Sequence, residues 1–299
     1  MMKQKELIDL LNSKVPFYSS ANIVSNTPLN RGIAVYKVNE GSTPSALKVF
    51  FSDQVSEDSN LHQRKNSLEK EIDAYQSIGF LKRERYISSG HNNEAIWLET
   101  RWIEGDTVSE YFRKAESKLV NHKELLTAGI SIISSLKDLH NEGYLHRDVH
   151  TKNILIKNEH NVNFLDFDQY QEIGKQDQFY KGGLVHFNSP NICQQILGGN
   201  GLITYSLSDE IFSLSITLYY LLTGKIPYSY QDNIKRYSYE EILSYIANGV
   251  TIPYAQNGFF KSDTLDLFFQ KSLNKNVEER ISTLSDFEVF LIKAIEEID

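Results

Sequence analysis

The sequence predicts an α+β protein of two lobes, a strand-rich N-terminal lobe followed by a helical C-terminal one. Three observations carry that expectation. Two runs near the start, GIAVYKV and SALKVFF, are rich in β-branched and aromatic residues. After RWIEGDT the apolar residues change to helical spacing, and IFSLSITLYYLL, Ile211 to Leu222, is apolar on nearly every side.

The two strand runs flank NEGSTPS, a Gly/Pro/Ser cluster that predicts a turn and hence a hairpin. Leu68, Ile72, Tyr75 and Ile78 recur at helical spacing, and AIWLET returns to strand character. Beyond RWIEGDT, Leu126, Ile130, Ile133, Leu136 and Leu139 mark one face of an amphipathic helix. The run at Ile211 to Leu222 then reads as a helix buried at the centre of its lobe, and Phe287, Phe290, Leu291, Ala294, Ile295 and Ile298 predict a final amphipathic helix. The change of pattern places the lobe boundary at Arg101 to Gly105.

Composition narrows the class. The chain of 299 residues is 40% hydrophobic and 23% charged, which is the balance of a globular protein rather than a disordered one. A formal net charge of -8 argues against a general electrostatic grip on nucleic acid or anionic lipid, since both need a basic surface. The one cysteine, Cys193, cannot form an internal disulfide, and MMKQKELIDLLNSKV is not followed by an apolar leader. A reducing, cytoplasmic setting with no membrane partner is therefore expected.

Chemistry concentrates in GYLHRDVHTKNILI, Gly143 to Ile156, and NFLDFD, Asn163 to Asp168. Asn153 lies five residues after Asp148 and Asp166 eighteen after it, across two apolar runs that read as a β-hairpin. Such a hairpin brings the three side chains to one edge. Magnesium takes hard oxygen ligands from one or two protein groups plus substrate phosphates; Asn153 and Asp166 offer these while Asp148 stays free to orient a hydroxyl. Either fragment alone reads as a turn with an ion pair or a strand-end cap; the two together at this spacing do not.

These residues resemble the protein kinases. HRDVHTKN is similar to their catalytic loop and DFD to the metal motif that normally reads DFG. The resemblance implies the bilobal protein-kinase-like fold, with residues 1–20 as an N-terminal helical extension, 21–100 as the N-lobe, 101–105 as the hinge and 106–299 as the C-lobe. It implies ATP and Mg2+ as cofactors, Asp148 as catalytic base, and Asn153 and Asp166 as metal ligands. ALKVF resembles the strand that carries the phosphate-binding lysine, which makes Lys48 that lysine and Glu71, rather than Glu69, its partner. WLETRWIEGDTV resembles the adenine-binding strand and hinge, with Thr100 as gatekeeper, backbone groups of Arg101 and Ile103 facing the base, and Ala46 and Leu155 sandwiching the ring. SLSDEIFSLSITLYYLLTGKIPY and LNKNVEERIS resemble C-lobe segments of protein kinases, with Asp209 as an anchoring acid and Arg280 as a structural arginine.

The chain departs from the family in several places. SNTPLNRGIAV offers only Gly32 where the phosphate loop has three glycines. His150 replaces the lysine two residues after the catalytic aspartate, and Lys152 is expected to supply the positive charge instead. SPN at Ser189 to Asn191 stands in place of APE, which removes the carboxylate partner of Arg280. His150 and DFD also resemble aminoglycoside and choline phosphotransferases. The expected function is γ-phosphate transfer to a hydroxyl of a protein substrate, most simply serine or threonine, with a small-molecule kinase and a nucleotide-binding pseudokinase scaffold as alternatives. Between Asp166 and Ser189 the only hydroxyl side chains are Tyr170 and Tyr180; either one of these is phosphorylated to pair with Arg147, or, as expected here, an acid such as Glu172 or Asp177 meets Arg147 without phosphorylation, with Arg147 bracing the loop through backbone carbonyls as the remaining alternative.

Overall fold

A computed structural model describes residues 4–15, 23–26, 32–39, 43–52, 61–175, 183–199, 203–230 and 236–298. The chain divides into two compact units, Met1–Ile103 with Phe167–Tyr170, and Glu104–Asp166 with Gln171–Asp299.

The first unit comprises α1 (Gln4–Lys14), β1 (Ile23–Asn26), β2 (Ile33–Val38), β3 (Ser45–Phe51), α2 (Leu61–Ser77), α3 (Gly79–Glu84), β4 (Tyr86–His91) and β5 (Ala95–Arg101). Its strands form one antiparallel sheet in the order β1-β2-β3-β5-β4. The period of two along β3 sorts its side chains: Leu47, Val49 and Phe51 are buried, whereas Ala46 and Lys48 between them are half-buried. Helix α1 covers the first of these faces. Leu7, Leu11 and Val15, one turn apart, pack with Tyr36, Val38, Leu47, Val49 and Phe51, and burying each such side chain contributes about 1.5–3 kcal/mol. Tyr36 Oη donates to the Leu7 carbonyl at 3.0 Å, and Lys14 pairs with Glu94 at 2.6 Å. Residues read as an extension are thus part of the sheet's core. A tight turn at Phe167–Gln169 completes the unit by packing on α2.

The second unit comprises β6 (Asp106–Thr107), α4 (Val108–Glu116), α5 (His122–Asn141), β7 (Tyr144–Leu145), β8 (Ile154–Asn158), β9 (Asn161–Phe164), β10 (Gln171–Glu172), α6 (Pro190–Leu197), α7 (Leu207–Thr223), α8 (Tyr239–Ala247), α9 (Tyr254–Asn257), α10 (Asp263–Ser272) and α11 (Leu284–Ile298). Capping boxes start α4 at Thr107/Glu110, α5 at Asn121/Glu124 and α8 at Ser238/Glu241. The apolar run starting at Ile211 is the body of α7, and it is buried on almost every side. Its stop is Gly224, at φ +70°, where a Cβ would lie 2.3 Å from the Phe112 ring. The hairpin expected between the two catalytic fragments is β8–β9, with β6 on the other side of β8. No described helix is long and apolar enough to cross a membrane.

Candidate active site

In the first unit, Lys48 leaves β3 on the face opposite α1 and its Nζ donates to Glu71 Oε2 of α2 at 2.6 Å. Glu71 is 6% exposed, so the carboxylate is largely removed from water and its attraction for Lys48 is correspondingly strong. Glu69 points elsewhere and pairs with Lys65 at 3.8 Å. Ala46 shares the Lys48 face, paired across the sheet with Thr100. At the end of β5 the Arg101 amide donates to the Arg85 carbonyl and the Trp102 amide to the Pro44 carbonyl. The Arg101 amide is therefore engaged within the sheet, and Ile103 ends the unit. Gly32, buried at φ +83°, accepts from the Phe51 amide and enters β2 in a backbone conformation that suits glycine. The remainder of the expected phosphate loop, residues 27–31, lies outside the described residues.

In the second unit, the loop from His146 to Asn153 is held mainly through its backbone. His146 Nδ1 accepts from the Asp148 amide at 3.3 Å, so the ring proton sits on Nε2 and is donated to the Leu165 carbonyl at 2.8 Å. The Leu165 amide in turn donates to the Asn153 carbonyl at 2.8 Å. Arg147 and Asp166 adopt left-handed backbone at φ +67° and φ +61°, an unusual conformation for side chains of this size and one that clusters at functional sites.

Asp148 is the focus of the loop. Asn153 Nδ2 donates to both its Oδ2, at 2.9 Å, and its carbonyl, at 3.0 Å. Both amide hydrogens are thereby used on Asp148, which turns the Asn153 carbonyl oxygen toward other partners. His150 Nε2 stands 3.4 Å from the same Oδ2, while its Nδ1 accepts from the Lys152 amide at 3.1 Å. The Asp148 carboxylate is 17% exposed, and among the described residues nothing bonds to its Oδ1. Lys152 is exposed. Leu155 lies half-buried in β8, opposite Thr107 and Asn163.

An acid of α7 anchors this loop, and it is Glu210 rather than the expected Asp209. Glu210 is fully buried; its Oε2 accepts from the Arg147 amide at 2.6 Å and its Oε1 meets His140 Nε2 at 2.7 Å. Burial alone would push its carboxyl up, but the hydrogen bonds from His140 and the Arg147 amide hold it below the usual carboxylate range. Asp209 instead caps α7 through Ser206 and accepts from Ser189. The pattern S-x-x-D at Ser206–Asp209 is itself a capping-box signature, and it marks Asp209 as engaged at its own helix end.

Arg280 finds other partners in place of a carboxylate. Its guanidinium donates to the carbonyls of Asn274 and Ser208 and to the Ser208 hydroxyl, and lies 4.8 Å from the Phe212 ring centroid. Glu172 does not reach Arg147: it is exposed and pairs with Lys175, whereas Arg147 is buried with its guanidinium 5.6 Å from the Tyr205 ring. Asp177 and Tyr180 lie outside the described residues.

Among the described residues no group of three or more His, Cys, Asp or Glu could hold a metal by protein ligands alone. Asn153 and Asp166 could each offer one side-chain oxygen, the kind of donor a hard divalent cation takes when phosphates complete its shell.

A protein kinase domain profile matches residues 32–289. Serine/threonine-protein kinase PrkC of Bacillus subtilis (strain 168) is 25% identical over 204 residues, covering 66% of this chain and 30% of the relative. Serine/threonine-protein kinase TOS3 of Saccharomyces cerevisiae is 28% identical over 184 residues, 54% of this chain and 30% of the relative. Probable serine/threonine-protein kinase PknB of Lactococcus lactis is 25% identical over 198 residues, 63% and 29%. The chain thus spans under a third of the length of these relatives. The profile takes in the Lys48–Glu71 pair, the Asp148 loop and the Glu210 anchor, and ATP with a divalent metal is the family's general requirement; this chain belongs to the protein kinase domain family.

Proposed function

We propose that the chain transfers the γ-phosphoryl group of Mg·ATP to a serine or threonine hydroxyl of a protein substrate. The observation that supports this most is the state of Asp148: Asn153 and His150 occupy one carboxylate oxygen, and the other is open at a partly exposed position. The substrate hydroxyl donates its proton to that oxygen as its own oxygen bonds to the γ-phosphorus, and the bond to the β,γ-bridging oxygen breaks to release ADP. Mg2+, when bound, draws charge off the phosphate oxygens; Asn153 and Asp166 are the residues to hold it. Lys48, oriented by Glu71, meets the α- and β-phosphates, and Lys152 supplies positive charge near the transferred group. A cytoplasmic location and a partner set without nucleic acid or membrane belong to this reading, supported by the formal net charge of -8.

The purified protein, incubated with γ-labelled ATP and Mg2+, should label a protein or peptide panel on serine or threonine. Label on an aminoglycoside or choline, with the peptides unlabelled, would move the reading to a small-molecule kinase. ATP binding without transfer to any acceptor would make it a pseudokinase.

A further inference from the structure

Buried Leu68 and Ala74 seat α2 on its neighbours, and a single ion pair from its middle leaves the fine rotation of the helix to other contacts. Glu71 lies mid-way along α2, with Ser67 one turn before it and Tyr75 one turn after, so the three share a stripe. Both ends of the stripe are tied to one short segment. The Ser67 hydroxyl donates to Asp168 Oδ2, and the Tyr75 ring meets the Phe167 ring edge-on at 5.9 Å. Beside the stripe, Asp73 accepts from the Tyr170 hydroxyl, and the Lys70 ammonium lies 5.9 Å from the centroid of the Tyr170 ring.

We propose that Asp168 is a positioning residue, which through its hydrogen bond from Ser67 sets the rotation of α2 that presents Glu71 to Lys48. The chemistry fits the role. A hydroxyl donating to a carboxylate makes a stronger bond than a neutral pair, and it acts one helical turn from the residue to be aimed. A rotation of α2 by one residue, about 100°, would carry Glu71 off Lys48 altogether. The glycine of the usual DFG pattern has no side chain with which to make such a tie, so the second aspartate of DFD gives this chain a bond that motif lacks. The tie consists of side chains alone, so it can be broken without disturbing a strand or a helix backbone. The effect on turnover rests on the phosphotransferase reading; the effect on the helix does not.

The test compares Asp168→Gly, Ser67→Ala and their double variant with the conservative Asp168→Asn and Ser67→Thr, each of which keeps a partner for the bond. Two readouts are taken on the full chain: amide hydrogen exchange in α2, and kcat with KM for Mg·ATP across a Mg2+ titration. Asp168→Gly and Ser67→Ala should each speed α2 exchange and lower kcat by about tenfold, the scale of one lost hydrogen bond to a charged group. The double variant should be no worse than either alone, and Asp168→Asn and Ser67→Thr should retain most of both properties. Independent, multiplying effects, or unmoved α2 exchange in an active protein, would overturn the proposal. So would a raised Mg2+ requirement in Asp168→Gly that Ser67→Ala does not share, which would make Asp168 a metal ligand. Matched, non-additive exchange in a protein that transfers no phosphate would support the tie and fail the phosphotransferase reading.

Discussion

The two halves of the candidate machinery are held in different ways. In the first unit, Lys48 and Glu71 come from a strand and a helix and meet only through their side chains, with Ser67, Asp73, Asp168 and Tyr170 adding further side-chain ties around them. In the second unit, the Asp148 loop is bonded at its backbone, with the amides of Arg147 and Asp148 and the carbonyls of Asp148, Asn153 and Leu165 all engaged, and a buried acid of α7 beneath it. Side-chain ties can be made and released at the cost of a hydrogen bond or two. A loop bonded through backbone to a buried carboxylate comes apart only with its surroundings, because the partners left behind are buried and unsatisfied. The contrast assigns adjustability to the Lys48–Glu71 pair and permanence to the Asp148 loop.

The contrast makes graded predictions. Asp166→Asn should have the largest effect on turnover, a loss of about 10³-fold or more with the melting temperature unchanged, because it removes a metal-binding charge; near wild-type turnover would break the DFD assignment. Lys48→Met should lower turnover by about 10²-fold and Glu71→Gln by less, the latter with little change in melting temperature. Damage from Glu69→Gln and none from Glu71→Gln would contradict the observed pairing.

Glu210→Ala sharpens the comparison from the other side. It leaves the Arg147 amide and His140 without their acceptor in the interior, and should destabilise the protein by about 3 kcal/mol in chemical denaturation at neutral pH. Because the Glu210 carboxyl sits below its unfolded value, its contribution is fully present above about pH 4.3 and fades as pH falls through the lower folded value. The gap between wild type and variant should therefore narrow in acid. A destabilisation by Glu71→Gln as large as that by Glu210→Ala would erase the distinction between the two regions. The smallest effect belongs to Lys152→Ala, about tenfold in kcat with ATP affinity unchanged, while His150→Lys is tolerated; greater damage from His150→Ala would favour the small-molecule alternative.

Much of this was legible in the sequence because it is local. The strands at GIAVYKV and SALKVFF, the β8–β9 hairpin between Asp148 and Asp166, and the buried helix from Ile211 declare themselves by periodicity and turn residues. What escaped depends on which way a side chain faces within a tertiary setting. Asp209 and Glu210 are neighbours, about 100° apart on one helix, and only the capping box that occupies Asp209 tells them apart. Helix α1 reads as an appendage until the sheet face it covers is known. The second aspartate of DFD resembles a variant metal motif until Ser67 is seen beside it. Glu172 was a plausible partner for Arg147 by charge, yet Lys175, three residues on, takes it.

The most direct test of the central claim is phosphoryl transfer by wild type and Asp148→Asn, measured in parallel with ATP binding by calorimetry. Asp148→Asn should bind Mg·ATP as wild type does and transfer phosphate to a protein hydroxyl at least about 10²-fold more slowly, the scale of one lost general base. Equal turnover in the two proteins, with ATP bound by both, would contradict that claim.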